Sequence, residues 1–582
     1  MASPSEVLAP RISAAVGAAF GEDYQGTDPL LRPSQFADLQ ANVALPLAKR
    51  LGMPPREVAA KVLQHLDLDG IVSDVSVSGP GFLNLTLSNA WLDEAVGEMA
   101  ADSRLGIPLQ ATERIPIDYS SPNVAKEMHV GHLRTTVVGD ALARTLERLG
   151  HVVIRQNHLG DWGTPFGMLI EHLIDVGEGS PEAQLLESDP NAFYQAARAA
   201  FDADAAFAER ARLRVVALQA GDTETMRLWR EVVERSKRYL NGVYRMLGVT
   251  LTDADLAGES RYNSELDGIV DELLAKGIAV VSEGAVCVFL DAYTGREGKP
   301  VPLIIRKSDG GYGYAASDLA TIRYRANVLG GRRIIYVVGA TQALHFSMVW
   351  ETARRAGWIE NDVRPIHVHI GNVLGTDRKM LRTRSGSSLR LMALLQEAVA
   401  KARAVLDEAR PDLDEEVRAR IAPQIGIGAV KYADLSVAHD SEYVFDLDRM
   451  VSLTGNTGPY LQYAAARIRS IFRAAGLDPA TVGGGGETRP VRLQGDAERE
   501  LGIALLEFGS VVAQVGDELE PHRLAGYLFD LAQKFSAFYE HHPVLKAEDA
   551  ELRESRLALC AVTLAVLVEG LGLLGVETPE QM

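Results

Sequence analysis

The stretch "RIPIDYSSPNVAKEMHVGHLRTTVVGDALARTLERLGHVVIRQNHLG", residues 114–160, decides the fold. "RIPIDYSS" reads as a short strand. "HLRTTVVGDALARTLERLG" carries apolar residues at helical spacing and ends on Gly150, and "HVVIRQNHLG" is a second strand. Strand–helix–strand is the unit of a parallel sheet. Its strand-to-helix turn opens at the carboxyl edge, where ligands of such sheets bind. The helix begins near His129, so His129 and His132 share one face at its start. Unpaired N–H groups and the positive end of the helix dipole favour a phosphate there. Gly131 leaves room for a flat ring against the backbone, and Lys126 adds a fixed charge just upstream. The set suits a nucleoside triphosphate whose charge rises as phosphorus is attacked. Taken as a tetrapeptide, HxGH also admits two exposed histidines or half a metal site. Zinc needs a third ligand, for which His158 and His172 are candidates without supporting spacing. No GxGxxG follows the strand, so a dinucleotide cofactor is not expected.

Outward from this unit the pattern changes on both sides. Residues 1–110 alternate helical patterns with short strands. "IVSDVSVSGPGFLNLTLS" (71–88) reads as strands broken at Gly79-Pro80-Gly81, with "AWLDEAVGEM" a helix after them. Residues 178–246 are Ala-rich and helical, an insertion between sheet strands. "GAVCVFLD" (284–291), "PLIIRK" (302–307), "RIIYVVG" (333–339) and "PIHVHIGNVLG" (365–375) return to strands, with a helix from "ASDLATIRYRANVLG". From about residue 390 the chain is almost entirely helical, interrupted by a flexible loop at "GGGGETRP" (483–490). The expected class is α/β: a Rossmann-type parallel-sheet domain (111–450), an N-terminal α+β domain (1–110) and a C-terminal all-α bundle (451–582).

The totals agree with several domains. At 582 residues the chain is too long for one core, and domains of roughly 100–200 residues are the rule. The most apolar run, "LALCAVTLAVLVEGLGLLGV", is interrupted by Thr563 and Glu569 and reads as a buried bundle helix. No basic n-region precedes an apolar segment at the N-terminus, so no secretory signal is expected. Cys287 and Cys560 stand far apart with no Cys/His cluster, against a structural zinc or a disulfide framework; a reducing cytoplasm fits. A net charge of −19 argues against a broadly basic nucleic-acid surface. Local patches temper that: five basic residues and no acid between Arg378 and Arg390, and three arginines in "RIRSIFR" (467–473). An RNA partner would be gripped locally, with salt-dependent contacts and poor long-range steering.

"HVGH" resembles the HIGH signature of class I aminoacyl-tRNA synthetases. The longer run "DYSSPNVAKEMHVGHLRTTVVGD" with "NHLGDWGTPFG" resembles the arginyl-tRNA synthetase family. So do "KSDGGYGYAASDLA", "QALHF", "VKYADLS", "GNTGPYLQYAAARIRSIFR" and "FSAFYEHHPVLKAED". The resemblance runs from about residue 30 onward. It implies an enzyme that turns L-arginine and Mg-ATP into arginyl-adenylate and pyrophosphate, then esterifies the terminal adenosine of tRNA(Arg). It also implies activation that requires tRNA; no structural metal, no DNA or membrane partner, a cytoplasmic location and a monomer are expected alongside.

The same resemblance implies site residues. Lys126, His129, Gly131 and His132 would serve the triphosphate, with His129, His132 and Lys126 as electrostatic stabilisers rather than proton carriers. The second class I signature, KMSKS, is replaced by "GTDRKMLRTRSG" (375–386), which lacks the second lysine. Lys379, Arg382 and Arg384 remain there, and Lys126 would stand in for what is missing. Arginine would be held by Asp118, Ser120, Asn123, His132, Tyr314, Asp318 and Gln342. Acids, an amide and a phenol suit a planar guanidinium. Competing readings are a helix N-cap for Asp318 and a solvent-facing strand-end acid for Asp118. For tRNA the candidates are Phe36 and Gln40 in "QFADLQAN", where Ala37 replaces a frequent glycine, and Tyr460, Tyr463, Arg467 and Tyr539. A synthetase for another amino acid, and a non-catalytic tRNA-binding paralogue, remain the alternatives.

Overall fold

The structure is a computed structural model describing residues 3–295, 298, 300–381, 389–482 and 491–582. Arg382, Arg384 and the "GGGGETRP" loop lie outside the described residues. The strand–helix–strand unit forms as its pattern dictates: β1 (Arg114–Asp118), α1 (Val130–Arg148) and β2 (Val152–Gln156). β1 and β2 run parallel in register, Ile117 opposite Arg155 and Asp118 opposite Gln156. After β2 the chain enters the helical insertion, which includes α2 (Pro190–Ala203) and α3 (Thr223–Leu247). It then returns through α4 (Tyr314–Asn327), β3 (Arg333–Gly339) and β4 (Arg364–Ile370).

The parallel sheet has four strands in the order β4-β3-β1-β2. β1 sends its crossover to one side and β3 sends its own to the other. The carboxyl ends of β1 and β3 therefore flank a topological switch point, where open sheets bind ligands. Alternate residues of β3 face opposite layers. Ile335 and Val337 join the main core with α1, while Ile334 and Tyr336 join a second core with α4. Both faces are covered, as a parallel sheet requires.

Two of the expected strands do not belong to this sheet. Ala285–Thr294 and Pro300–Arg306 pair antiparallel with each other and with Ala279–Ser282 in a separate three-stranded sheet. Parallel pairing needs a crossover of a dozen or more residues, and no helix separates these strands, so they pair as local hairpins.

Strands Val72–Ser78 and Phe82–Leu87 form the hairpin read at Gly79–Gly81, within a four-stranded antiparallel sheet backed by helices. The C-terminal part contains α5 (Gly458–Ala475), α6 (Pro521–His541) and α7 (Ala550–Leu573). α7 is long and apolar enough to cross a membrane by composition, but it is packed within the bundle. One short strand, Tyr443–Val444, departs from the all-helical reading after residue 390; it pairs with Val373–Leu374. α1 is locked to this region by Arg134, fully buried, whose Nε lies 3.1 Å from Asp434 Oδ1.

Candidate active site

Between β1 and α1 the chain makes a turn that is costly by itself. Ser120 (φ +71°), Ser121 (φ +46°) and Ala125 (φ +58°) are all left-handed without being glycine. Such conformations cost about 1–3 kcal/mol each and persist only where surroundings hold them. The turn delivers His129 as the N-cap of α1. His129 Nδ1 accepts from the Gly131 N–H at 3.0 Å, and His132 Nδ1 accepts from the His129 N–H at 3.1 Å. Those bonds assign the proton of each neutral ring to Nε2, since Nδ1 must offer a lone pair. Burial pushes both pKa values down, His132 to about 3 with the neighbouring His129 ring adding to the effect. The rings lie 4.0 Å apart, two neutral donors at a helix N-terminus. A Cβ on residue 131 would stand 2.8 Å from His129 Cε1, so any side chain there would push the ring off its bond to the residue 131 N–H. Lys126 reaches out of the turn with Nζ 4.9 Å from the centre of the Tyr194 ring of α2.

Beside this turn lies a cleft of about 260 Å³, lined among others by Asn123, Lys126, Glu259, Lys307, Tyr314 and Ser317. Asn123 is held over the end of β2 by the pair Val124 N–H to Gly160 O (3.1 Å) and Gly160 N–H to Pro122 O (3.2 Å). Asp318 sits in the second turn of α4, whose N-cap is Gly313, so it is no cap. Its Oδ2 is 2.6 Å from His345 Nε2. Glu259 opens the short helix Glu259–Glu265. Burial pushes its pKa up to about 8, and the charges of Asp318 and Asp161 add to the rise. A cleft carboxyl raised by burial and by the charge of a second carboxylate favours a cation beside it, because a positive charge relieves both desolvation and mutual repulsion.

Glu259 was not legible beforehand. A lone glutamate in "LAGESRYN" carries no periodicity and looks like any solvated loop acid. Conversely, two expected substrate contacts are engaged inside the protein. Asp118 is buried, with Oδ2 2.7 Å from Arg325 Nη2 and Oδ1 accepting from Ser121 Oγ at 2.6 Å. Arg325 is itself fully buried, so the strand-end acid has an internal counter-ion and is not the solvent-facing group of the competing reading. Ser120 Oγ lies 2.8 Å from Tyr244 OH and accepts from Thr136 Oγ1 at 3.0 Å. Gln342 is exposed in the short turn Ala340–Gln342, three residues before His345.

In the basic loop, Lys379 is exposed, its backbone N–H bonded to Asp377 Oδ1. The patch is less uniformly available than its composition suggests. Arg390 is tied to Glu127 at 2.9 Å and to Asp189 at 3.1 Å.

The aromatic candidates of the bundle separate into two kinds. Phe535 and Phe538 are fully buried packing. Tyr463 and Tyr539 are each 38% exposed, and the Arg467 guanidinium lies 5.5 and 5.0 Å from their ring centres. A planar cation between two half-exposed rings, from α5 and α6, makes a stacking platform suited to unpaired bases. Tyr460 is half-buried against Phe529 at 5.6 Å. Phe36 is 80% exposed, while Gln40 donates from Nε2 to Asn84 Oδ1 at 2.8 Å. Among the described residues, no group of three or more His, Cys, Asp or Glu could hold a metal ion.

Residues 96–447 match the family model described as tRNA synthetases class I (R), catalytic domain. Residues 461–582 match the DALR anticodon binding domain, and residues 6–87 the arginyl tRNA synthetase N terminal domain. The chain is 67% identical to an arginine–tRNA ligase of Thermobifida fusca over 582 residues, covering 100% of both chains. It is 52% identical to one of Frankia casuarinae, covering 98% of this chain and 97% of that one. The arginyl-tRNA synthetase structure of Plasmodium falciparum superposes with a TM-score of 0.83 at 26% identity, covering 100% of each chain.

Proposed function

The chain belongs to the arginyl-tRNA synthetase family and is an arginine–tRNA ligase, and from that premise we propose how its cleft divides the work. The reaction activates arginine with ATP and charges the tRNA. The arginine carboxylate displaces pyrophosphate at the α-phosphorus, and a ribose hydroxyl of the terminal adenosine then displaces AMP from the carbonyl. An amino-acid carboxylate is already a nucleophile, so positioning and charge stabilisation suffice for the first step. The observation that carries the assignment is Glu259, lining a cleft whose other side is the Asn123–Lys126 turn, with the charge of Asp318 acting on it.

In this reading Glu259 and Asp318 take the guanidinium, with Asn123 and Tyr314 beside them and Gln342 at the edge. Lys126 and the Nε2–H groups of His129 and His132 hold the triphosphate of Mg-ATP at the N-terminus of α1. Lys379, Arg382 and Arg384 serve the pyrophosphate end. Asp118 and Ser120 act from beneath: Asp118 anchors Arg325 and Ser121, and Ser120 anchors the turn. Phe36 and Gln40 meet the tRNA elbow, and Tyr460, Tyr463, Arg467 and Tyr539 meet the anticodon. The protein works in the cytoplasm as a monomer.

Arginine-dependent exchange of labelled pyrophosphate into ATP, with and without tRNA(Arg), tests the reading. Exchange is expected with arginine and tRNA together and not with lysine. Equal exchange with lysine would overturn the assignment of the acidic pair.

The raised pKa of Glu259 adds a pH dependence with a definite sign. The cation binds the carboxylate, whereas the free enzyme below about pH 8 carries the carboxylic acid. Arginine must then displace a proton. Its KM is expected to rise by roughly tenfold for each pH unit below 8, and to level off above 8. Glu259→Gln should flatten the profile while weakening binding throughout. A KM constant from pH 6 to 8.5 in the parent enzyme would rule the linkage out.

A further inference from the structure

The helical insertion supplies a partner, direct or through Asn157, to each left-handed residue of the turn. Tyr244, on the last turn of α3 and 3% exposed, places its hydroxyl 2.8 Å from Ser120 Oγ and accepts from Asn157 Nδ2 at 2.9 Å. Asn157 Oδ1 in turn accepts from the Ser121 N–H at 3.1 Å. Ser236, two turns earlier on α3 and 2% exposed, accepts from the Ala125 N–H at 3.1 Å and donates to Val232 O at 2.9 Å. Each strained residue thus has a partner that is on α3 or is held by α3. α2 contributes twice more: Tyr194 lies beneath Lys126, and Asp189, its N-cap, takes one end of Arg390, whose other end holds Glu127. The segment after the basic loop is stitched to the same place. Val130 N–H donates to Leu389 O at 3.2 Å and Leu391 N–H donates to Met128 O at 2.9 Å.

We propose that the helical insertion is a brace for the triphosphate-binding turn, with Ser236 and Tyr244 as positioning residues that hold Lys126 and His129 in place. The physical need is specific. Alanine and serine leave the left-handed region unless something opposes it, because their Cβ crowds the backbone there. A buried N–H that loses its acceptor gives the turn a second reason to rearrange. The brace acts on the ATP side of the cleft. The acidic pair stands on other elements, Glu259–Glu265 and α4, and the hydrogen bonds of Ser236 and Tyr244 go to the turn, to Val232 and to Asn157. The inference rests on the assignment of Lys126 and His129 to the triphosphate.

The test uses the full-length enzyme in tRNA-supported, arginine-dependent pyrophosphate exchange. Ser236→Ala and Tyr244→Phe are each expected to lower kcat at least tenfold and to raise KM for ATP. KM for arginine should move less than twofold. A general loss of structure would shift both KM values and the thermal midpoint. Ala125→Gly in the Ser236→Ala background is expected to restore at least half of the lost kcat, because glycine occupies φ near +58° without strain. Relief of strain also restabilises a weakened fold, so the rescue counts only where the thermal midpoint of Ser236→Ala matches that of the parent. If Ser236→Ala fails to fold, Tyr244→Phe, which deletes one oxygen, carries the test with the same KM comparison. Lys126→Ala separates the two levels of inference. Should it leave exchange undiminished, the triphosphate assignment fails. Should it impair exchange while Ser236→Ala and Tyr244→Phe stay within twofold of the parent, or should glycine rescue nothing, the brace is wrong.

Discussion

Replacing Asp318 by asparagine is expected to lower kcat/KM for arginine about a thousandfold in pyrophosphate exchange. Removing one partner of a desolvated charge pair costs about 3–5 kcal/mol, because the remaining charge stays buried without compensation. At 1.4 kcal/mol per decade, that range spans roughly two to four decades. Asparagine keeps the shape of the side chain, and its Oδ1 can still accept from His345, which now lies 2.6 Å from Asp318 Oδ2. The loss should therefore appear in arginine recognition, with KM for ATP changed less than twofold and the thermal midpoint nearly unmoved. Glu259→Gln should act in the same direction. The double variant should fall short of the sum, since both side chains serve one guanidinium. An Asp318→Asn enzyme within fivefold of the parent for arginine would remove the acidic pair from the mechanism.

The second large effect is expected at His132. His132→Asn should slow adenylate formation by about a hundredfold or more, the range seen when one donor to a developing negative charge is deleted. Asparagine is the informative choice. Its Oδ1 can replace Nδ1 as acceptor of the His129 N–H, now at 3.1 Å, so the N-terminus of α1 stays capped. What disappears is the Nε2–H. Because burial holds the His132 pKa near 3, the ring is neutral at working pH and gives a hydrogen bond rather than a charge. The residual activity should thus show no new titration between pH 6 and 9. Exchange undiminished in both His132→Asn and His132→Ala would take His132 out of the first step.

How much of this was legible in advance differs from group to group. The strand–helix–strand unit was, because two local periods and one turn specify it and nothing distant is needed. The start of α1 near His129 followed from the same pattern. The membership of strands in sheets was less accessible. Residues 285–294 and 300–306 have good strand patterns, yet pairing partners are a property of topology, and these two pair with each other. The acids of the cleft show the limit most clearly. Asp118 looked available for a ligand because it ends a strand at the carboxyl edge. Arg325 on α4, 207 residues away in the chain, had already claimed its carboxylate. Glu259 looked like nothing, because its raised pKa comes from burial and from Asp318 on another element.

Sequence alone therefore determined the βαβ nucleus, the two histidines at the start of its helix with glycine between them, and the family with its reaction. These are carried by short-range spacing and by long runs of matching residues. The tertiary structure alone decided which carboxylates face the cleft, which are neutralised internally, and which helices hold a strained turn in shape. Charge pairing, desolvation and strain relief act across a few ångströms of space between residues hundreds of positions apart, so no local pattern records them.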